Sequence, residues 1–307
     1  MSAPDAILFI SFGGPEKRDE VMPFLEIVTQ GRNIPRARIE AVAHHYDAIG
    51  GASPINKITR QQAEGLKKTL AAQGCDLPVY VGNRNWHPFI EQTLRQMAND
   101  GVRTAVGFIT AAHRAEASLE RYMRAVEAAR EKIGAAAPVI RYAGPWFDHP
   151  LFIEAICDRI TKTLDRPAGR PADSLTDAWI FTAHSIPCAM ADDSAYVSEL
   201  RRTAALVCEH LGRREWSLAY SSRSGNPQEP WLEPDVCDAI EAKARAGITR
   251  AVAIPIGFIA DHVEVLFDLD IEAKEAAQKT GIEFLRVPTV GDHPAFLRMM
   301  SDVVCAR

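Results

Sequence analysis

Residues 251–272 read AVAIPIGFIADHVEVLFDLDIE, an apolar run followed at once by a run with helical spacing. The first part, Ala251–Phe258, is short and apolar and contains Pro and Gly, which is typical of a buried strand. The second part, Val263–Gln278, carries apolar residues at i, i+3 and i+4, which predicts a helix. A buried strand that leads directly into a helix is the building unit of parallel α/β sheets.

The same alternation extends along the whole chain. Further apolar, β-rich runs predict strands at Ala6–Phe12, Pro78–Val81, Thr104–Ile109, Val139–Tyr142, Ala178–Ala183, Ser217–Tyr220 and Glu283–Val287. Helical patterns fall between them at Ile58–Ala72, Phe89–Ala98, Ser118–Ile133, Phe152–Leu164, Val197–Leu211 and Val236–Ala246. We therefore predict an α/β fold whose parallel sheets are covered by helices on both faces.

A pause in this alternation near Ala143-Gly144-Pro145 divides the chain into two halves with the same rhythm. Two similar doubly wound domains explain this pattern best. We predict an N-terminal domain over residues 1–145 and a C-terminal domain over residues 146–307, and we allow the last helix to pack back on the N-terminal domain.

Composition limits the class of function. The chain has 307 residues, 47% of them hydrophobic, which is enough to bury a sizeable core. Lys+Arg 35 against Asp+Glu 40 gives a net charge of -5, so we expect no nucleic-acid partner. The first apolar run lacks the features of a signal peptide, and later runs are shorter than the ~20 residues of a membrane helix. We predict a cytoplasmic protein without a transmembrane segment, and we leave peripheral membrane contact open.

An imidazole stands at the end of a predicted strand. Ala178–Ala183 runs straight into His184, and ligands of open α/β sheets bind beyond the carboxyl ends of strands. A lone histidine is more often a hydrogen-bonded core residue, so His184 alone is weak evidence. Ser185 beside it does not indicate a hydrolase, because adjacent side chains of an extended segment point to opposite faces.

Three carboxylates follow the strand Ala251–Phe258. Glu264, Asp268 and Glu272 stand at i, i+4 and i+8, and at ~100° per residue they form one stripe along a helix. A solvated acidic face is the alternative, but the other sides carry apolar residues, which indicates a largely buried helix. Asp261 stands where an N-cap is expected.

Carboxylates that lead toward an imidazole suit the transfer of a divalent cation or of protons. Ligand type favours Fe²⁺, although zinc and manganese take the same ligands. Three Gly-, Ser- and Pro-rich loops, at Gly13–Pro15, Gly50–Pro54 and Ser221–Pro227, match neither G-x-G-x-x-G nor the P-loop, so nucleotide binding is poorly supported. Aromatic residues near these loops either pack in the core or line a cleft that binds a flat apolar ligand. They are Phe12, Tyr46, Trp86, Tyr122, Trp231 and Phe258.

Five motifs in order resemble the ferrochelatase family over nearly the whole chain. They are YDAIGGASPI (46–55), GNRNWHPFI (82–90), TAHSIP (182–187), PWLEP (230–234) and FIADHVEVL (258–266), preceded by SFGGP (11–15). The resemblance implies two Rossmann-like domains of the chelatase type with a porphyrin in the cleft between them. It implies a lyase that inserts ferrous iron into that porphyrin during haem synthesis.

The resemblance also implies roles for individual residues. His184 matches the catalytic histidine and Glu264 its facing glutamate, and Asp268 and Glu272 continue the metal path. We assign metal handling and proton acceptance jointly to His184 and Glu264.

Porphyrin contacts are implied in the N-terminal half. Ser53 and Tyr122 match family positions that hold the macrocycle, with His45 and Tyr46 beside Ser53. Two positions depart from the family pattern. Phe12 replaces a Tyr of several relatives, so it cannot ligate iron, and we expect it to stack under the macrocycle. Thr29 stands where some relatives place an Arg for a propionate, and Arg32 is the nearest cation that could compensate.

Within the family, the SFGGP and FIADHVEVL motifs are most similar to bacterial coproporphyrin III ferrochelatases. We therefore predict coproporphyrin III as substrate, with protoporphyrin IX as the alternative. A non-catalytic haem or metal carrier with the same cleft remains a second hypothesis, although the acidic stripe favours an enzyme. A chelatase of another tetrapyrrole is a third, disfavoured by chain length and motifs.

Partners and cofactors follow from the same resemblance. Iron and porphyrin are substrates, and we expect no tightly bound cofactor and a monomer. The six cysteines are scattered without a C-x-x-C pair, and we interpret them as reduced thiols. Cys157 and Cys305 lie in regions where some relatives bind a two-iron, two-sulfur cluster, but the clustered cysteines are missing, so we predict no cluster.

Overall fold

The computed structural model describes residues 4–31, 34–165, 177–224 and 228–306. Its strands are β1 (Ala6–Ser11), β2 (Val79–Asn83), β3 (Thr104–Ile109), β4 (Val139–Tyr142), β5 (Asp177–His184), β6 (Ser217–Ser221), β7 (Arg250–Pro255) and β8 (Glu283–Arg286). The α-helices are α1 (Val21–Thr29), α2 (Arg36–Ala48), α3 (Ile55–Ala72), α4 (Ile90–Asn99), α5 (Arg121–Ile133), α6 (Pro150–Thr163), α7 (Cys188–Asp192), α8 (Tyr196–Leu211), α9 (Val236–Arg245), α10 (Lys274–Thr280) and α11 (Pro294–Cys305).

Two four-stranded parallel sheets form the two cores. Their strand orders are β2-β1-β3-β4 and β6-β5-β7-β8, so the second sheet repeats the topology of the first. All residues of β1 are buried, as are all of β5 except His184, which explains why these strands read as continuous apolar runs. The predicted α/β fold with two parallel sheets and flanking helices is confirmed.

In each sheet the chain adds its second strand on one side of the first strand and its later strands on the other side. In the second sheet, β5 lies between β6 and β7, and the chain leaves β5 toward β6 before it crosses to β7. The carboxyl ends of β5 and β7 therefore flank a topological switch point, where doubly wound sheets bind their ligands. Among the described residues, none of the helices is both long and apolar enough to cross a membrane.

Two compact units divide the chain, and they differ from the predicted domains 1–145 and 146–307 at Ala111–Ser118 and at the chain from Asp292 onward, where the prediction allowed the last helix to pack on the N-terminal domain. Unit 1 contains the chain up to Thr110, Leu119–Pro145 and the chain from Asp292 onward, and unit 2 contains Ala111–Ser118 and Trp146–Gly291. The last helix, α11, joins unit 1 because it packs on α3. The segment Ala111–Ser118 joins unit 2 because His113 and Arg114 hydrogen-bond to α8.

A buried ion pair fixes the beginning of the second sheet. The Asp177 carboxylate, 1% exposed, accepts two hydrogen bonds of 2.9 Å from the guanidinium of Arg250. Arg213 donates to the backbone carbonyl of Asp177. Asp177 and Arg250 are register partners in β5 and β7, so this pair sets the alignment of the two strands. His184 lies at the carboxyl end of β5, and Glu264 follows the carboxyl end of β7.

Candidate active site

His184 is the last residue of the central strand β5, where it pairs with Ser221 of β6. Its Nδ1 donates a hydrogen bond to the backbone carbonyl of Ser185, because a carbonyl can only accept. The neutral ring therefore presents the lone pair of Nε2 away from the backbone. The hydroxyl of buried Tyr196 donates to the carbonyl of His184 at 3.0 Å and fixes the strand end.

Glu264 faces this ring. Its Oε1 lies 3.7 Å from Nε2 of His184, and the two side chains are 37% and 28% exposed. This separation exceeds a direct hydrogen bond and still allows one proton or one cation to contact both groups. The structure thus brings together the two side chains that the sequence placed after β5 and β7.

The acidic helix differs in type from the prediction. Val265–Ala273 is a π-helix, and α10 continues from it, so the predicted regular α-helix over Val263–Gln278 is wrong at its centre. π-Helices have i→i+5 hydrogen bonds and occur frequently at functional sites. Asp268 is buried within this π-helix and accepts a hydrogen bond from the Ser222 hydroxyl, while Ser222 itself adopts a left-handed φ of 64°.

Burial gives Asp268 unusual proton affinity. Burial, together with the charges of Glu264 and Glu272 and against the opposing Ser222 hydrogen bond, raises the pKa of this carboxyl from 3.8 to about 7. Glu264 is half-exposed and Glu272 is exposed. The three carboxylates therefore connect the histidine to the surface through a buried group that titrates near neutrality.

The four predicted metal donors do not form one closed cage. Among the described residues, no group of three or more His, Cys, Asp or Glu side chains is close enough to hold a metal ion. His184 and Glu264 meet, whereas Asp268 and Glu272 follow along the helix. Two facing donors with further carboxylates behind them suit a cation in transit.

The predicted N-cap role of Asp261 is wrong. The Nδ1 atom of His262 accepts the Glu264 backbone N–H at 3.2 Å and caps the helix instead. The Asp261 carboxylate binds Arg286 and accepts from Thr289 Oγ1 at 2.9 Å. Because burial lowers the pKa of His262, this imidazole stays neutral and able to accept.

Arg286 forms ion pairs with a residue just before the π-helix and with a residue inside it. Its guanidinium binds Asp261 at 3.1 Å and Asp270 at 2.7 Å, so it joins the end of β8 to the loop before the π-helix and to the π-helix itself. The structural roles of Arg286, His262 and Ser222 were not predicted from the sequence. Only Ser222 carried a signal, since it lies in a Ser- and Gly-rich loop after a strand.

Gly257 allows the ends of β5 and β7 to approach closely. A methyl group there would lie 2.6 Å from the Cβ atom and 2.7 Å from the Cα atom of Ala183, the residue before His184. We expect Gly257→Ala to lower the free energy of unfolding by about 1–3 kcal/mol, measured by urea denaturation. A double-mutant cycle with Ala183→Gly should show coupling that partly relieves this loss, and additive effects would contradict the explanation.

Unit 1 contains an aromatic cluster after β1. Phe24 contacts Phe12 at 6.3 Å, Tyr46 at 6.2 Å and Trp86 at 5.9 Å between ring centroids. The guanidinium of Arg84 lies 5.9 Å from the ring centroid of Phe12 and 5.8 Å from that of Tyr122. Phe12 and Tyr46 thus share one aromatic cluster, with Tyr46 and Tyr122 buried, and Arg84, which was not predicted from the sequence, adds a positive charge.

Other predicted porphyrin contacts also have local structural roles. Ser53 is buried and its Oγ accepts the backbone N–H of Ile55 at 3.4 Å. The Thr29 hydroxyl donates to the carbonyl of Leu25 within α1 at 2.7 Å. His45 is half-buried, and burial, followed by the charges of Arg38 and His44, lowers its pKa. Arg32 lies outside the described residues.

Comparison with solved structures defines the class first. The chain superposes on the sirohydrochlorin chelatase SirB of Bacillus subtilis subspecies spizizenii, crystallised with cobalt, with a TM-score of 0.58. The match covers 98% of this chain and 94% of that chain at 10% identity, so the similarity concerns the fold alone. The protein therefore has the fold of the chelatases.

Comparison of sequences identifies the family. The Ferrochelatase family model matches residues 4–307. A ferrochelatase of Rhodopirellula baltica is 44% identical over 304 residues, which is 99% of this chain and 86% of the relative. A coproporphyrin III ferrochelatase of Nocardia farcinica is 45% identical over 312 residues, with coverage of 98% and 88%. The chain belongs to the ferrochelatase family.

Proposed function

We propose that this protein is a coproporphyrin III ferrochelatase, a lyase that inserts Fe²⁺ into coproporphyrin III and yields iron coproporphyrin. The observation that carries the proposal is the His184–Glu264 pair, with 3.7 Å between Nε2 and Oε1 at the switch point of the second sheet. Insertion of a divalent metal requires a group that accepts protons and groups that take the cation from water. A partly exposed imidazole and carboxylate supply both functions.

Metal insertion must replace two pyrrole N–H protons with one cation. A flat macrocycle directs its nitrogen lone pairs into the ring plane, so the reaction requires a bent porphyrin, and contacts at the ring periphery stabilise that geometry. The free lone pair on Nε2 of His184 accepts one pyrrole proton, and the line of carboxylates that begins at Glu264 takes the second. The Glu264 carboxylate stabilises the imidazolium that results, as an anion near a cation does.

The π-helix provides the route for protons and iron. Asp268 has a pKa of about 7, so its carboxyl exchanges protons readily at neutral pH. Glu272 at the surface end attracts Fe²⁺ from water, and Glu264 passes the ion toward His184. Since each iron that enters releases two protons, a line of carboxylates lets both species move along one path in opposite directions.

Substrate choice rests on the relatives and on the charge in unit 1. The curated relatives at 42–45% identity include several coproporphyrin III ferrochelatases. Coproporphyrin carries four propionates and protoporphyrin two, so a cation among aromatic rings favours the more acidic ligand. Arg84 between Phe12 and Tyr122 supplies such a cation.

A direct comparison of the two porphyrins tests this choice. Anaerobic iron insertion into coproporphyrin III and into protoporphyrin IX, each followed by absorbance, should give the larger kcat/KM with coproporphyrin. Arg84→Gln should reduce that preference mainly through KM. If protoporphyrin is metallated faster by the unaltered protein, the substrate assignment is wrong although the reaction class stands.

Glu264→Gln keeps the shape of the side chain and removes its charge and its proton affinity. We expect the rate of iron insertion to fall roughly 10²-fold, because Gln can neither stabilise the imidazolium nor accept a proton. The measurement is single-turnover metallation of bound porphyrin. Glu275→Gln, an exposed carboxylate change on α10, is the control and should leave the rate unaltered.

We propose in addition that the protein works as a cytoplasmic monomer without a resident cofactor. The chemistry needs none, since iron and porphyrin are both substrates. Sedimentation of the purified protein tests the oligomeric state, and metal analysis together with visible absorbance tests for an iron–sulfur cluster. Flotation with anionic vesicles tests whether the protein contacts a membrane surface.

A further inference from the structure

Two cysteines contact each other at the surface of unit 1. Cys75 follows α3 by three residues, and Cys305 is the last residue of α11. The Ser301 hydroxyl, one turn before Cys305 in α11, donates to Oε1 of Gln73, two residues before Cys75, so the two thiols lie beside each other, and both cysteines are free. Cys75 is partly exposed and Cys305 is exposed, so small oxidants can reach the pair. The proposed function uses neither thiol.

The surrounding contacts hold the two sulfur atoms together. Leu297 of α11 packs against Gly65 of α3 so closely that a methyl at residue 65 would lie 2.6 Å from it. Nearer the cysteines, the Ser301 hydroxyl donates to Gln73 Oε1 at 2.5 Å. The backbone N–H of Cys75 donates to the carbonyl of Leu70 at 2.9 Å, so the turn that carries this thiol is itself fixed.

We propose that Cys75 and Cys305 are a reversible redox modification site at which an oxidant forms a disulfide between α3 and α11. A disulfide places its sulfurs about 2.0 Å apart, and the packing of α11 on α3 together with the Ser301–Gln73 hydrogen bond holds the segments that carry the two thiols side by side. Disulfides of intracellular proteins are typically transient and redox-sensing, and exposed ones are the readily reduced kind. The site would tie the C-terminal helix to unit 1 under oxidising conditions.

A peroxide oxidises the two thiols to a disulfide in two steps. The Cys75 thiolate attacks one peroxide oxygen, the O–O bond breaks, hydroxide leaves, and Cys75 becomes a sulfenic acid. The Cys305 sulfur then attacks the Cys75 sulfur, the S–S bond forms, and water leaves. Burial and the contact with Cys75 raise the pKa of the Cys305 thiol, which therefore acts as the second, resolving thiol.

Other cysteines of the chain are poor competitors. Burial raises the pKa of Cys157 and of Cys208 to about 12, and that of Cys237 also to about 12. Thiols that stay protonated react slowly with peroxide, because the thiolate is the nucleophile. Cys188 is partly exposed and serves as a matched control for accessibility.

Peptide mapping without reductant tests the proposal on the full chain. After brief treatment of the metal-free protein with hydrogen peroxide, the peptide that contains Cys75 should be linked to the peptide that contains Cys305, and dithiothreitol should release both. The thermal midpoint should rise on the order of 5 °C on oxidation and return on reduction. Cys188→Ser should behave like the unaltered protein.

Variants of the pair separate the disulfide from other effects of peroxide. Cys305→Ser should abolish both the linked peptide and the rise in the thermal midpoint. If Cys305→Ser does not fold, Cys75→Ser replaces it and should give the same result. The proposal is overturned if mapping of the unaltered, monomeric protein finds both cysteines unlinked. It is equally overturned if the midpoint rises as much in Cys305→Ser or Cys75→Ser as in the unaltered protein.

Discussion

Replacement of His184 by Ala should lower the rate of iron insertion by at least about 10²-fold, the range that loss of a positioned proton acceptor produces. Nε2 of His184 lies 3.7 Å from Oε1 of Glu264, and Ala leaves the reaction without this proton acceptor. Porphyrin binding should persist, since the aromatic cluster around Phe24 lies in unit 1. Rapid-mixing metallation under anaerobic conditions and a separate fluorescence titration of porphyrin measure the two quantities.

An exposed histidine gives the matched control for this change. His210 lies near the end of α8 and is exposed, so His210→Ala should insert iron at the unaltered rate. His184→Ala activity within a factor of two of the unaltered protein would remove the histidine from the mechanism. Loss of porphyrin binding together with activity would indicate a folding defect, which the urea transition of the variant detects.

Asp268→Asn should change how stability depends on pH in metal-free protein. The folded carboxyl has a pKa of about 7 against 3.8 for an unperturbed Asp, so between these pH values the folded state holds a proton that the unfolded state has lost. Stability of the unaltered protein therefore falls as pH rises from about 4 to about 7. The total loss is roughly 4 kcal/mol, from 1.36 kcal/mol per pKa unit.

Asn removes this ionisation, so the variant and the unaltered protein should be equally stable near pH 4 and diverge above it. At pH 8 the Asn variant should be more stable by an amount that approaches the same roughly 4 kcal/mol. Urea denaturation at several pH values measures the difference. Glu275→Gln should not alter the pH dependence, and a constant difference between Asp268→Asn and the unaltered protein would contradict the raised pKa.

The strand and helix rhythm could be predicted because burial on both faces makes parallel strands continuously apolar. The same rule located His184 and Glu264, since each follows a central strand and the ends of β5 and β7 are neighbours. Helix α2 was missed because only Tyr46 is buried in it, which leaves little apolar periodicity to detect.

Other features depend on contacts that sequence spacing does not encode. A π-helix and an α-helix both place residues four apart on about the same face, so the acidic stripe alone could not distinguish them. Arg286 bonds to Asp261 and Asp270, which are distant in sequence and carry no common motif. The membership of α11 in unit 1 likewise follows from its packing on α3 and not from its position after the last strand.

The most direct test of the central claim is whether the purified protein metallates coproporphyrin III with Fe²⁺ in the absence of oxygen. Loss of porphyrin fluorescence and growth of the iron coproporphyrin absorbance, both faster by orders of magnitude than without protein, are the expected result. Tight binding of porphyrin or haem with no acceleration of metal insertion into either porphyrin would contradict the account and identify the protein as a carrier.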